Sequence, residues 1–315
     1  MIDLLTIQKL CLDLDEAEAI AEHNSLDVLT RVGTIHYDNA PTKNLTQHKG
    51  ISIRIATNRK LTVEGSLHKF YNDSTKNSRT NFDLFTMRQA VEAAEALIRE
   101  KRIPDDSRIY NVEVGINLNV SKPCRVYLDK MVVTDERKMY VNPRYKDERI
   151  KTTIFSRHQR KYFKAYDKVF EMADKKTPFI PTYPILRIET AYRRLENQTV
   201  KEFFSPKNLH KLVEVFFRDW RAIKFKSDIL TPKGTGLRKR MLCRDILVKS
   251  ESEVLNDARE RHASGILSAK EFRNIREFIR DDWSSLKRSI KLVPSDEEKE
   301  FRALLSQQYD IMRCL

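Results

Sequence analysis

The most regular alternation of apolar and polar positions runs over residues 108–120. Tyr110, Val112, Val114, Ile116 and Leu118 fall on one face, and Asn111, Glu113, Gly115, Asn117 and Asn119 on the other. A period of two marks a strand with one buried face. The same period recurs over 185–193, where Leu186, Ile188 and Tyr192 oppose Arg187, Glu189 and Arg193, and over 161–168. In that last stretch Tyr162, Lys164, Tyr166 and Lys168 share one face, and Phe163, Ala165 and Val169 the other. Residues 2–10, 26–37, 51–57, 60–68, 125–133, 137–141 and 150–155 also read as strands. A turn at Asn58–Arg59 joins 51–57 to 60–68 as a hairpin.

A helical period appears first over Asp13–Glu22 and again over 83–101. There Phe85, Ala90, Val91, Ala94, Leu97 and Ile98 form a stripe, with Asp83 as N-cap and Pro104 beyond the end. A polar stretch, 72–81, precedes it. A short helix at 169–175 leads to a turn rich in proline. After about residue 198 the pattern is helical throughout, over 206–222, 238–262, 268–290 and 295–313, with no strand signal. The fold class expected is α+β. A largely antiparallel sheet with one helix-covered face occupies residues 1–200, and an all-helical region occupies 201–315.

Composition narrows the class. The chain has 315 residues, a third of them charged, and is not enriched in glycine or proline, so it is expected to be globular. No apolar run reaches the ~18 residues of a membrane span, and the N-terminus lacks the pattern of a signal peptide. Cys11, Cys124, Cys243 and Cys314 lie far apart with no CxxC pair, which reads as reduced thiols in the cytoplasm. The net charge is +14, but residues 1–50 hold four Lys/Arg against eight Asp/Glu. The basic remainder suits a polyanion, with nucleic acid first. Between Arg149 and Lys164 there are six cations and no acid. No GxxxxGK[ST] occurs, and Gly234 and Gly236 are too few for a phosphate loop, so nucleotide hydrolysis is not indicated.

If the alternating strands share a sheet, their polar faces converge. Glu64, His68, Glu113, Tyr162, Tyr166, Lys168, Arg187 and Glu189 would then meet. Phenols and ammonium groups can hold and attack a phosphodiester, and hard oxygen ligands suit Mg²⁺ or Mn²⁺. Each residue also has a plainer reading. Lysines protect edge strands, Glu113 can face water, Glu189 can pair with its neighbouring arginines, and His68 can sit in a turn. No His-x-His pair is present.

At these residues the chain resembles the replication initiators of filamentous bacteriophages, the gene-II/gene-X family. The resemblance rests on four places in order: Met1-Ile2-Asp3-Leu4-Leu5; Ile109-Tyr110-Asn111-Val112-Glu113; Ser156-Arg157-His158 followed by Tyr166-Asp167-Lys168-Val169-Phe170-Glu171; and Leu186-Arg187-Ile188-Glu189. It covers residues 1–205. A fainter likeness links the chain to single-tyrosine plasmid initiators and relaxases. The family usually has aspartate where this chain has Glu113. The gap before the tyrosine is longer here, which leaves Tyr162 open beside Tyr166.

The resemblance implies a rolling-circle initiator that nicks origin DNA and rejoins it through a 5′-phosphotyrosine. It implies Tyr166 as nucleophile and Lys168 on the scissile phosphate. Glu113 and Glu189 would be ligands of Mg²⁺ or Mn²⁺, with His68 or Glu64 as a third. Arg157, Arg160, Lys161, Lys164 and Arg187 would contact DNA. Residues 201–315 would be a DNA-binding or accessory region, in which Arg238, Lys239, Arg240 and Arg244, clustered at the start of one helix, dock duplex origin DNA or simply form a solvated face. Origin DNA, a host helicase and a host polymerase would be the partners. A repressor or partition factor without enzymatic activity is the alternative, and a relaxase or transposase would share the chemistry.

Overall fold

The computed structural model describes residues 2–31, 34–38, 49–134, 137–141, 150–152, 160–177, 179–195, 197–226 and 228–313. Arg157, and with it Ser156 and His158, lies outside the described residues. The strands are β1 (Ile2–Lys9), β2 (Asp27–Arg31), β3 (Thr34–Asp38), β4 (Ser52–Ile55), β5 (Leu61–Ser66), β6 (Arg108–Asn119), β7 (Met131–Thr134), β8 (Arg137–Val141), β9 (Ile150–Thr152), β10 (Lys161–Asp167), β11 (Ile185–Arg193), β12 (Lys224–Phe225), β13 (Asp228–Leu230) and β14 (Lys291–Val293). The helices are α1 (Leu14–His23), α2 (Leu67–Lys76), α3 (Met87–Lys101), α4 (Cys124–Leu128), α5 (Lys168–Asp174), α6 (Val200–Phe203), α7 (Pro206–Arg221), α8 (Leu237–Val248), α9 (Glu251–Ala263), α10 (Ala269–Glu277), α11 (Trp283–Leu286) and α12 (Asp296–Met312). A π-helical turn, Phe278–Asp282, joins α10 to α11.

The fold is α+β, as the alternation predicts. Strands β1 to β12 form one antiparallel sheet in the order β12-β7-β8-β9-β10-β11-β6-β1-β5-β4-β3-β2. Its centre is β10-β11-β6-β1, and the register there decides everything that follows. Tyr166 stands opposite Arg187, Lys164 opposite Glu189, and Tyr162 opposite Ala191. Across the next ladder, Arg187 pairs with Asn117, Glu189 with Gly115, and Arg193 with Asn111. The odd positions of β6 and β11 therefore share a polar face with the even positions of β10.

The other face is the core. Phe163, Ala165, Val112, Val114, Ile116, Leu118, Leu186 and Ile188 are all buried there. Helix α7 covers it with Leu209, Val213, Phe216, Phe217 and Trp220, and α12 adds Phe301 and Leu305. The Trp220 indole donates to Thr190 Oγ1 at 3.0 Å and meets Phe163 edge to face. A second, smaller core gathers Cys243, Ile246, Val254, Phe278, Trp283 and Ile290. The helices after residue 200 thus divide between two cores. Among the described residues no helix is long and apolar enough to cross a membrane.

Several segments differ from their expected form. The single strand expected over 26–37 turns back on itself as the β2–β3 hairpin. The strand expected to continue to His68 ends at Ser66, which caps α2 by accepting from the Lys69 amide. Leu67 and Phe70 anchor that helix, and its polar outer side hid its period in the sequence. Helix α3 starts at Met87 because Thr86 and Gln89 form a reciprocal capping box, so Asp83 is not the cap. The strand expected over 125–133 opens as helix α4, with Cys124, Tyr127 and Leu128 buried at helical spacing. The helix expected over 238–262 breaks at Lys249–Ser250. Short strands β12, β13 and β14 stand where no strand was expected.

Candidate active site

Two arrangements lie side by side on the polar face, joined by Lys164. The first is enclosed. Arg187 is 2% exposed. Its Nη2 meets Asp3 Oδ2 at 2.7 Å, its Nε meets Glu189 Oε1 at 2.7 Å, and its Nη1 donates to Asn117 Oδ1 at 3.0 Å. Asp3 reaches this face because the β1–β6 pairing slips between Ile2 and Leu5. Its carboxylate also accepts from Ser66 Oγ and from Asn81 Nδ2. The Tyr166 hydroxyl donates to Glu189 Oε1 at 2.8 Å, and that side chain is 4% exposed. Lys168 is equally buried and bonds Glu171 at 2.6 Å.

The charges sort themselves by partners. Burial opposes the Asp3 charge, but Arg187 and Lys168 more than offset it, so Asp3 stays ionised far below the usual carboxylate range. Burial likewise opposes the Glu189 charge, but Lys164 and Arg187 hold its pKa at about 2. Burial lifts the Tyr166 phenol well above its ordinary value, and Glu189 lifts it further. Burial and the Arg187 charge push the Lys168 ammonium down.

Gly115 makes this packing possible. A Cβ there would stand 2.8 Å from Glu189 Cγ and 3.0 Å from Arg187 Nη2. Gly115→Ala is expected to lower stability by about 1–3 kcal/mol, the usual range for overpacking. Urea unfolding would show it as a lower midpoint with an unchanged slope.

The second arrangement borders a surface cleft, with the Tyr162 side chain 6% exposed. A cleft of about 300 Å³ is lined by Thr6, Glu64, Asn111, Glu113, Tyr162 and Arg193, among others. The Tyr162 hydroxyl donates to Glu113 Oε1 at 3.3 Å and accepts from Arg193 Nη2 at 3.0 Å. The Arg193 guanidinium also lies over the ring, 4.6 Å from its centre. Thr6 Oγ1 reaches Glu64 at 3.5 Å across the cleft wall. Lys164 bridges the two arrangements, 2.8 Å from Glu113 and 2.6 Å from Glu189.

Glu113 and Glu189 share that one ammonium, and Glu189 has Arg187 besides. Glu113 is therefore the carboxylate that gains a proton first. Burial and the Glu189 charge raise its pKa above the ordinary value. Burial opposes the Lys164 charge, but Glu189 and Glu113 hold that ammonium firmly protonated. Burial and Glu113 also raise the Tyr162 phenol, so it keeps its proton at neutral pH.

The expected site residues are thus only partly assembled. Glu113, Tyr162, Lys164, Tyr166, Arg187 and Glu189 come together. His68 lies on the far side of Asp3, lining one cavity with Asp3, Asn117 and Arg187; it is stacked on Phe85 with ring centres 4.4 Å apart and has Nε2 2.8 Å from Asp83. Burial pushes the His68 pKa below its ordinary value, although Asp83 opposes this. Among the described residues, no three His, Cys, Asp or Glu side chains converge as a metal site. Glu113 and Glu189 hold an ammonium between them, Glu64 lines the cleft beside Glu113, and His68 faces Asp83.

Arg187, expected on DNA, is enclosed among carboxylates. Lys161 turns to the helical side and pairs with Asp219. Arg160 is exposed. Asp3, Arg193 and Asp83 were not anticipated. A lone Asp in an apolar strand gives no signal, and Arg193 was noted only as a face neighbour of Glu189.

No protein-family model matches the chain, and no curated protein matches it. Among solved structures, a rolling circle replication initiator protein from Geobacillus stearothermophilus is similar at 11% identity and a TM-score of 0.40, covering 75% of this chain and 88% of that one.

Proposed function

We propose that this protein cuts one strand of DNA and rejoins it through a covalent bond to Tyr162, as an initiator of rolling-circle replication does. One observation carries the reading: in the open cleft, a phenol sits between a carboxylate that can take its proton and a guanidinium that can hold a phosphate. The +14 net charge favours a nucleic-acid backbone as the phosphodiester.

Because the Tyr162 phenol stays protonated, it needs a base. Glu113 accepts the proton as the phenolic oxygen attacks phosphorus. The bond from phosphorus to the 3′-oxygen breaks, and that oxygen takes the proton. The products are a 5′-phosphotyrosine and a free 3′-hydroxyl. The reverse attack by a 3′-hydroxyl restores the phosphodiester without a nucleotide cofactor. Arg193, with Lys164 behind it, stabilises charge on the non-bridging oxygens. Tyr166 and Arg187 position Glu189 and Lys164 from within.

The test is covalent capture. The protein is mixed with single-stranded and supercoiled DNA, with Mg²⁺, with Mn²⁺ or with EDTA, and run on a denaturing gel. A protease-sensitive protein–DNA adduct is expected. Salt-sensitive DNA binding with no adduct in any arm would instead make this a DNA-binding protein of the repressor or partition kind.

The base has its own signature. Adduct formation should quicken as pH rises through the Glu113 pKa, at a pH above the ordinary glutamate value, and then level off. Glu113→Gln should slow the step by roughly 10²–10⁴-fold, the usual contribution of a general base, and remove that inflection. Rapid-quench rates across pH would check both.

A further inference from the structure

The second core belongs to a small unit with its own geometry. Its ends are tied together by β13 and β14, where Asp228 pairs with Val293. Between them, α9 runs to Ala263 and terminates at Gly265 with φ +75°. A five-residue turn, 264–268, follows, and α10 starts behind a Ser268–Glu271 capping box. The His262 ring stacks on Phe272 at 5.1 Å, and its Nδ1 lies 3.0 Å from the Leu267 carbonyl. These contacts set the angle between α9 and α10. Two helices joined by a short turn with glycine have the connectivity of a helix-turn-helix, in which the second helix is the one offered to a duplex.

The helix continues through a π turn for a packing reason. Phe278 and Trp283 are five residues apart, and the Trp283 amide bonds the Phe278 carbonyl. Both side chains therefore reach the same core. Helix α10 itself buries no residue fully. At 100° per residue, Lys270, Arg273 and Glu277 share its outward side, and Arg280 follows in the π turn. Arg280 is engaged by its neighbour Asp281 at 2.7 Å. Lys270 and Arg273 are exposed and have no ion-pair partner among the described residues.

The basic cluster at the start of α8 is differently placed. Arg238 pairs with Glu271 at 2.8 Å and Lys239 with Asp282 at 2.6 Å. Those two cations tie α8 to α10 and the π turn, while Arg240 on α8 and Lys270 and Arg273 on α10 are exposed. The unit as a whole, residues 228–293, holds fifteen Lys/Arg against ten Asp/Glu.

We propose that α10 enters the major groove of duplex DNA, with Lys270 and Arg273 on the phosphate backbone. A helix of ~10–12 Å diameter fits the ~12 Å major groove of B-form DNA. The major groove of an RNA duplex is too narrow for it. This surface is separate from the Tyr162 cleft, so the protein holds duplex and cut strand with different units.

The test uses the full-length protein, a labelled random-sequence duplex and a labelled single-stranded oligonucleotide. Fluorescence anisotropy is followed across salt for the wild type and for the double variant Lys270→Ala/Arg273→Ala. Removing two phosphate contacts should flatten the log–log salt slope on duplex by about 1.8, at ~0.9 per contact. Binding to the single strand and adduct formation on it should be unchanged, and thermal unfolding should match the wild type. An unchanged duplex slope, or an equal loss on duplex and single strand, would overturn the proposal. Absence of an adduct with the wild type would overturn the nicking reading alone and leave the duplex slopes readable.

Discussion

Tyr162→Phe is expected to abolish the protein–DNA adduct completely, because its hydroxyl meets both Glu113 and Arg193. Tyr166→Phe should leave the adduct in place. Its hydroxyl donates inward to Glu189, a carboxylate already held by Arg187 and Lys164. Reaching a phosphodiester would require breaking that bond, whereas Tyr162, itself only 6% exposed, borders the cleft. Its loss should cost about 1 kcal/mol of stability, the net worth of one hydrogen bond. The measurement is a denaturing gel of both variants beside the wild type, with peptide mapping of the adduct. Residual adduct in Tyr162→Phe together with none in Tyr166→Phe would put the nucleophile inside the network.

This prediction departs from the one the resemblance implies, and the reason is physical. Sequence alternation shows that Tyr162 and Tyr166 share a face, since that follows from period two alone. It does not show which ladder partner each meets. The register that sets Tyr166 against Arg187, and Lys164 against Glu189, is a property of paired strands rather than of one strand. The central strands β6, β10 and β11 were legible because one face is apolar and the other polar. Helix α2 was not, because only Leu67 and Phe70 mark its buried side within a polar run. Asp3 was invisible as a site residue because it depends on a slip in the β1–β6 ladder. The unengaged cations of α10 were equally hidden, since Arg238 and Lys239 look more basic in the sequence than they are once Glu271 and Asp282 are beside them.

The largest loss of stability is expected from Arg187→Met. Arg187 stands between Asp3 and Glu189, each 2.7 Å away and each buried. Removing it leaves two carboxylates out of water without their shared partner, a change that costs about 3–5 kcal/mol for a buried pair. The pH dependence separates this mechanism from a simple packing defect. In the wild type, Asp3 and Glu189 have pKa values below their unfolded ones. Their contribution is therefore fully present above the unfolded carboxylate range and is lost as pH falls through the folded values, which for Glu189 is about 2. In the variant, Lys164 still faces Glu189 and Lys168 still acts on Asp3, but the Arg187 charge is gone, so both pKa values rise relative to the wild type and the variant fold takes up protons at higher pH. The variant should then recover stability relative to the wild type as pH is lowered from neutral toward ~4, the ordinary carboxylate pKa. Urea unfolding at several pH values would measure the gap. A constant gap across that range would assign the loss to packing, whereas a gap that narrows with acid would assign it to the two carboxylates. The triple variant with Asp3→Asn and Glu189→Gln should be closer to the wild type than Arg187→Met alone, because it removes the uncompensated charges together with their partner.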